Sequence, residues 1–150
     1  MLSLVFIDNN TGHDDIILTI GAREIVVDSY YFALDQGVLP DRKDTVKIQL
    51  VLKRLLEQLL RAIPDEKTET IVYFPYGFFD QGTYWLKCEF KDDLVSIYSG
   101  WSGIEGYSFS PSDIGEHLNL VSDFKADGAS VNLSKAEFYE KVNESLSKAI

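Results

Sequence analysis

The order of the sequence patterns predicts an α+β fold in which a mostly antiparallel β-sheet packs against a long central helix and a C-terminal helix. Residues 71–109 hold more than half of the aromatic side chains and alternate with a period of two, as strands with one buried face do. Residues 48–63 place apolar side chains at spacings of three and four, which indicates an amphipathic helix. Strands and helices fall in separate runs along the chain, and this segregation favours α+β over alternating βαβ units.

The clearest alternation lies between positions 84 and 91. Four side chains are predicted to face the core: Tyr84, Leu86, Cys88 and Phe90. Four are predicted to face solvent: Trp85, Lys87, Glu89 and Lys91. The polar residues 91–93 interrupt the pattern and residues 94–98 resume it, which predicts a β-hairpin. Pro75 in the preceding apolar run predicts an edge or bulged strand, because proline has no N–H for the ladder.

Three short strands are predicted before the long helix, over residues 2–7, 16–20 and 24–28. Ser29 could cap a short helix over residues 30–34, and a continued strand fits that stretch as well. Residues 131–133 are predicted to add a small strand.

Three helix starts are predicted from capping patterns. Asp41 or Asp44 can cap the long helix, which Pro64 ends. Ser110, followed by proline and then an acid, predicts a short helix that reaches about residue 118. Ser134 and Glu137 form a capping box at the start of the last helix.

The length of 150 residues predicts a single domain over residues 1–150. The first residues lack the basic region of a signal peptide, and no apolar run approaches the roughly 20 residues of a membrane span. Cys88 is the single cysteine, so no disulfide can form within the chain. These features predict a cytoplasmic protein that does not bind membranes.

The chain is strongly acidic. Twenty-four acids and fourteen bases give a formal net charge of −10. Nucleic acid phosphates would repel such a protein, whereas basic partners would attract it. Acidity also keeps proteins soluble, so the charge alone leaves both interpretations open.

The sequence predicts no catalytic residues, no metal and no cofactor. Two histidines, His13 and His117, are too few for the usual metal hydrolase sites. The glycines at 100, 103 and 106 are not followed by the Lys-Ser/Thr pair that a phosphate-binding loop needs, and no serine lies in a Gly-x-Ser-x-Gly elbow.

Two other functions remain open on the residues alone. Asp80 and Glu105 lie near predicted strand ends and could act as paired carboxylates in a hydrolase. Aromatic residues beside acids also suit a small binding module for carbohydrate or another ligand. Aromatics at turn edges fit a protein-binding surface equally well.

Two segments carry a resemblance to a known family. Residues 80–85 (DQGTYW) and 100–113 (GWSGIEGYSFSPSD) resemble the small immunity proteins of bacterial contact-dependent growth inhibition and other polymorphic toxin systems. The likeness extends loosely over residues 34–124. It implies a non-enzymatic cytoplasmic inhibitor that binds the toxin domain of its neighbour, commonly a basic nuclease. The family's contacts differ between pairs, so no contact residue carries over.

Turn position and charge alone predict the surface that would contact a toxin. Six residues make up this prediction: Phe79, Asp80, Asp92, Asp93, Trp101 and Glu105. The expected partner is a cognate protein toxin domain, and the sequence leaves the oligomeric state open.

Overall fold

The computed structural model describes residues 1–38 and 44–149. These residues form seven strands, three α-helices and one 3₁₀ helix, and they confirm the predicted α+β class. In chain order the elements are β1 (Leu2–Phe6), β2 (Ile16–Ile20), β3 (Arg23–Val27), α1 (Tyr30–Ala33), α2 (Thr45–Ala62), β4 (Thr70–Phe79), β5 (Gly82–Lys91), β6 (Leu94–Ser102), a 3₁₀ helix (Gly115–Leu118), β7 (Lys125–Ser134) and α3 (Lys135–Lys148).

The strands form two antiparallel sheets. One has the order β1-β2-β3 and the other β4-β5-β6-β7, so within each sheet the neighbouring strands follow one another in the chain. Pro75 lies in β4 at the edge of the larger sheet, where the pairing register shifts between Pro75 and Gly77. The predicted edge position and the predicted bulge are both confirmed. Both accommodate proline because neither requires the backbone N–H donor that proline lacks.

The core lies between the larger sheet, the smaller sheet and the two long helices. Helix α3 packs on β1 and on α2, and Phe138 of α3 meets Phe90 of β5 edge to face, with ring centres 5.5 Å apart. The predicted apolar stripe of α2 is buried: Ile48, Val51, Leu52, Leu55, Leu56 and Leu59. Among the described residues, no helix combines the length and the apolar character needed to cross a membrane.

The capping predictions for the two long helices are confirmed. The carboxylate of Asp44 accepts a 2.8 Å hydrogen bond from the N–H of Lys47. Ser134 and Glu137 form a complete capping box. Asp41, the alternative cap of α2, lies outside the described residues.

Residues 30–33 are helical and not a continued strand, but Ser29 does not cap them. Its hydroxyl donates instead to the buried carboxylate of Asp15, at 2.7 Å. The Asp15 carboxylate also accepts a hydrogen bond from the Ser29 N–H, which joins the end of β3 to the start of β2.

The predicted alternation of β5 is wrong at its first residues. Trp85 is completely buried, whereas 37% of Tyr84 is exposed. The connection that follows β6 covers the predicted solvent face at this end, and Trp85 stacks on Phe109 with ring centres 5.6 Å apart. Farther along β5 the prediction holds, because Cys88 is buried and Lys91 is exposed.

The predicted helix from Ser110 is also wrong. Ser110 and Asp113 form a tight turn with an isolated β-bridge, and only Gly115–Leu118 is helical, as a 3₁₀ turn. The N–H and hydroxyl of Ser112 donate to the buried carboxylate of Asp35. Asp35 thus gives these donors of Ser112 their hydrogen-bond partner without a helix. Gly115 has φ +66°, a value that an α-helix cannot contain. The small strand predicted at residues 131–133 belongs to the longer β7.

Candidate protein-interaction surface

The six predicted contact residues lie at opposite ends of the larger sheet. Phe79, Asp80, Trp101 and Glu105 lie where β4 turns into β5 and where β6 ends. Asp92 and Asp93 form the β5–β6 turn at the other end. The ten residues of β5 separate the two groups by about 30 Å at the rise of an extended strand. The structure therefore brings four of the six together, and contact with a partner stays a prediction for all six.

A close backbone approach places Glu105 beside the β4–β5 turn. The N–H of Gly106 donates a 2.7 Å hydrogen bond to the carbonyl of Phe79. A Cβ atom on Gly106 would lie 2.5 Å from that oxygen, a distance that side-chain carbons do not tolerate. Glycine at this position thus lets the segment after β6 pack against the end of β4.

Asp123 fixes the start of the same segment. Its carboxylate accepts hydrogen bonds from the Ser102 hydroxyl at 2.6 Å and from the Gly103 N–H at 2.8 Å. These two bonds, that from Ser102 first, lower the pKa of Asp123 below its ordinary value. These hydrogen bonds to Asp123 position the chain between Trp101 and Glu105. No local sequence pattern indicates these bonds, because Asp123 lies 20 positions from Gly103 and 21 from Ser102.

Asp80 is hydrogen-bonded to a residue that sequence analysis also missed. The hydroxyl of Tyr31, in α1, donates to Oδ1 of Asp80. This bond and burial raise the pKa of Tyr31 to about 12, so the phenol stays protonated at neutral pH. The two residues are 49 positions apart in the chain, and no local pattern links them.

An open groove of about 630 Å³ lies between α1 and the β4–β5 turn. We call it the tyrosine groove, and six of its lining residues carry the argument: His13, Asp28, Tyr30, Tyr31, Phe79 and Asp80. The ring nitrogen of His13 lies 3.2 Å from Asp28 Oδ2, and the Asp14 N–H donates to Asp28 Oδ1. The ring of Tyr30 is stacked parallel to that of His13, with centres 6.5 Å apart.

Exposed aromatic rings continue beyond the groove. Tyr84 contacts Phe79 with ring centres 5.2 Å apart, and it pairs across the strands with Trp101, of which 45% is exposed. Tyr107, after Glu105, is 67% exposed. We call this surface the aromatic end: Tyr30, Tyr31, Phe79, Asp80, Tyr84, Trp101, Glu105 and Tyr107. Clustered exposed aromatics are typical of binding surfaces, since soluble proteins otherwise bury such rings.

At the other end of the sheet, the two acids lie beside exposed apolar side chains that include Leu94 and Tyr139. Asp93 Oδ2 lies 3.2 Å from Lys67 Nζ, and the Asp93 carbonyl accepts a hydrogen bond from the N–H of Lys135. Asp92 adopts φ +54°, the left-handed conformation that this tight turn needs. Both acids are exposed, and an exposed ion pair such as Asp93–Lys67 contributes little to stability.

Little in the described residues suggests metal or thiol chemistry. No group of three or more His, Cys, Asp or Glu side chains in residues 1–38 and 44–149 is placed to hold a metal ion. Cys88 is fully buried, and burial raises the pKa of its thiol to about 12. The thiol therefore packs as a small apolar group, in agreement with the predicted core-facing position of Cys88.

Comparison with known proteins adds one finding. No protein-family model and no curated protein matches this chain. Among solved structures, the chain is similar to a chain of the CdiA-CT/CdiI toxin and immunity complex from Enterobacter cloacae, with a TM-score of 0.50. The match covers 96% of this chain and 99% of that chain, at 13% sequence identity. At this identity the similarity shows a shared fold.

Proposed function

We propose that this chain is an immunity protein, which binds and neutralises a cognate toxin domain in the cytoplasm of the bacterium that produces both. One observation carries the proposal. The fold similarity spans nearly the whole of both chains, and the similar chain belongs to a complex of a toxin with its immunity protein. The resemblance of residues 80–85 and 100–113 to immunity proteins supports the same function independently.

Charge favours the immunity protein over the toxin. A nuclease toxin has to approach phosphates, and a chain with a net charge of −10 is repelled by them. The same charge accelerates association with a basic nuclease and disfavours acidic proteins as partners. The proposed partner is therefore a basic toxin domain, and the proposed role is inhibition by binding, without catalysis.

The aromatic end is the proposed contact surface. Its rings can supply the few well-packed anchors that dominate protein–protein affinity, and Asp80 and Glu105 can supply charge complementarity. A standard interface buries about 800 Å² on each partner, an area some 30 Å across. Such an interface reaches all four predicted residues at this end and leaves the Asp92–Asp93 turn at or beyond its rim.

Co-expression tests the proposal directly. The toxin candidate is the C-terminal domain encoded by the gene immediately upstream, expressed in a bacterial host with or without this chain. Growth arrest by the domain alone, rescue by this chain and co-purification of the two support the proposal. A harmless domain, or killing that this chain does not prevent, would contradict it.

A second candidate rests on the aromatic rings beside acids. Tyr84 and Trp101 are exposed near Asp80 and Glu105, an arrangement that also suits a carbohydrate-binding module or a hydrolase. The double variant Asp80→Asn, Glu105→Gln separates these possibilities if a sugar activity is found. Hydrolysis that persists in the double variant excludes the two acids as its catalysts.

A further inference from the structure

The lining of the tyrosine groove combines flat aromatic rings with two carboxylates. Asp28, after β3, and Asp80, in the β4–β5 turn, both contribute to it. The rings of Tyr30 and Tyr31 also line it, at a near-perpendicular angle to each other and with centres 5.4 Å apart. The groove is open to solvent and adjoins the exposed rings of the aromatic end.

The two carboxylates differ in the hydrogen bonds that they already accept. Both oxygens of Asp28 have partners, since Oδ1 accepts from the Asp14 N–H and Oδ2 lies beside the His13 ring. Asp80 accepts from Tyr31 through Oδ1 alone, and no hydrogen bond from the described residues reaches its Oδ2. Asp80 therefore presents an acceptor at the edge of the tyrosine rings.

Among the described residues that line the groove there is no Lys or Arg, and the ring of His13 lies beside Asp28. A cation in the groove would be attracted by both carboxylates, of which Asp28 is half-buried and Asp80 is exposed.

We propose that the tyrosine groove receives an arginine side chain of the toxin domain, stacked on Tyr31 and hydrogen-bonded to Asp80. This inference rests on the proposed function. Arginine fits better than lysine, because a planar guanidinium stacks on aromatic faces while its N–H groups point outwards in the same plane. An arginine that a nuclease directs at phosphate would thereby be withdrawn from its substrate.

Argininamide, a small arginine derivative, tests the groove without the toxin. Nuclear magnetic resonance spectra of the ¹⁵N-labelled chain are recorded with argininamide and with citrullinamide, its neutral isostere. We expect saturable shifts at the amides of Asp80 and Gln81 with argininamide only. Asp80→Asn should abolish them, and Asp92→Asn, the same charge change at the far end of the sheet, should retain them. Equal shifts at Asp92 and Asp93, or equal shifts with citrullinamide, would overturn the inference.

The toxin domain provides the second test. We expect Asp80→Asn to weaken binding by about tenfold or more, and Asp92→Asn by less than about threefold. Tyr31→Phe controls for loss of the Tyr31–Asp80 bond: it should stay within about threefold of the wild type, because the carboxylate and the ring both remain. The groove inference is overturned if Asp80→Asn binds the toxin domain as tightly as the wild type does, or if Tyr31→Phe weakens binding as much as Asp80→Asn does. Neither result would overturn the proposed function. Failure of the wild type to bind any toxin domain overturns the proposed function, and the argininamide result still decides the groove.

Discussion

Trp85 and Trp101 are the two tryptophans of the chain, and they lie in adjacent strands at the same end of one sheet. Trp85 is fully buried, and its indole N–H donates to the Thr83 hydroxyl at 2.6 Å. Trp101 lies on the other face of the sheet and is nearly half exposed. The connection after β6 covers the face that carries Trp85 and leaves the ring of Trp101 partly exposed. Trp85 therefore belongs to the core, whereas Trp101 is accessible to a partner.

We expect Trp85→Ala to lower the free energy of unfolding by about 3–5 kcal/mol, because it leaves a large cavity beside Phe109. Trp101→Ala is the matched control and should cost less than about 1 kcal/mol. Denaturant unfolding followed by circular dichroism measures both values. Similar losses in the two variants would contradict the difference in burial.

Asp123 gives a pH-dependent prediction. Hydrogen bonds from Ser102 and Gly103 hold its pKa below the ordinary value of 3.8 in the folded protein. Its stabilising effect is therefore complete above that value and is lost as the pH falls through the lower folded pKa. Asp123→Asn should reduce stability at neutral pH, and the deficit should shrink below about pH 4.

Thermal unfolding of wild type and Asp123→Asn from about pH 7 to about pH 3 measures this effect. Asp113→Asn, at an exposed carboxylate in the same connection, is the control and should change stability little at any pH. A deficit in Asp123→Asn that stays constant down to the lowest pH would exclude the linkage.

At the scale of elements, two close contacts determine the path of the connection between β6 and β7. Gly106 bonds to the end of β4, and Ser112 bonds to Asp35 after α1. Neither contact is part of a helix. The connection therefore covers Trp85 with a segment that has no regular secondary structure. The same path places Glu105 and Tyr107 beside the β4–β5 turn.

We expect Gly106→Ala to lower the free energy of unfolding by about 1–3 kcal/mol, because its Cβ would meet backbone atoms of Phe79 at 2.5 and 2.7 Å. Gly103→Ala is the matched control, since its Cβ would meet one side-chain oxygen of Asp123 at 3.3 Å and, beyond its chain neighbours, no backbone atom of a described residue within 4 Å. Denaturant unfolding compares the two. An equal or larger loss in Gly103→Ala would show that the approach to Phe79 does not limit residue 106.

At the scale of the whole molecule, the net charge of −10 governs encounters with partners. Raising the ionic strength from about 0.01 M to about 1 M shortens the screening length from about 30 Å to about 3 Å. We expect the association rate constant with the proposed toxin partner to fall at least about tenfold over this range, while dissociation changes less. Stopped-flow fluorescence measures both rates.

The far turn provides a test of long-range steering within the same experiment. Reversing the charge of Asp92 and Asp93 should slow association at low salt and have little effect at high salt. An unchanged rate at low salt would remove the two acids from the steering surface. Binding to a sugar by aromatic stacking would show almost no salt dependence, which separates that alternative.

Local physical chemistry made most of the elements predictable. The leucine stripe and Asp44 define α2, the Ser134 capping box defines α3, and Pro75 marks an edge strand, because each signal acts within a few residues. The prediction failed for Trp85 and for the helix at Ser110, where a distant segment supplies the cover or the hydrogen bonds.

The candidate site shows the same division. Turn position and charge marked Phe79, Asp80, Trp101 and Glu105 as aromatic or acidic residues near turns. Only the tertiary structure joined Asp80 to Tyr31, built the tyrosine groove and moved Asp92 and Asp93 to the far end of the sheet. Short-range signals determine what each segment becomes, whereas packing between segments far apart in the chain decides which faces are covered and which side chains meet.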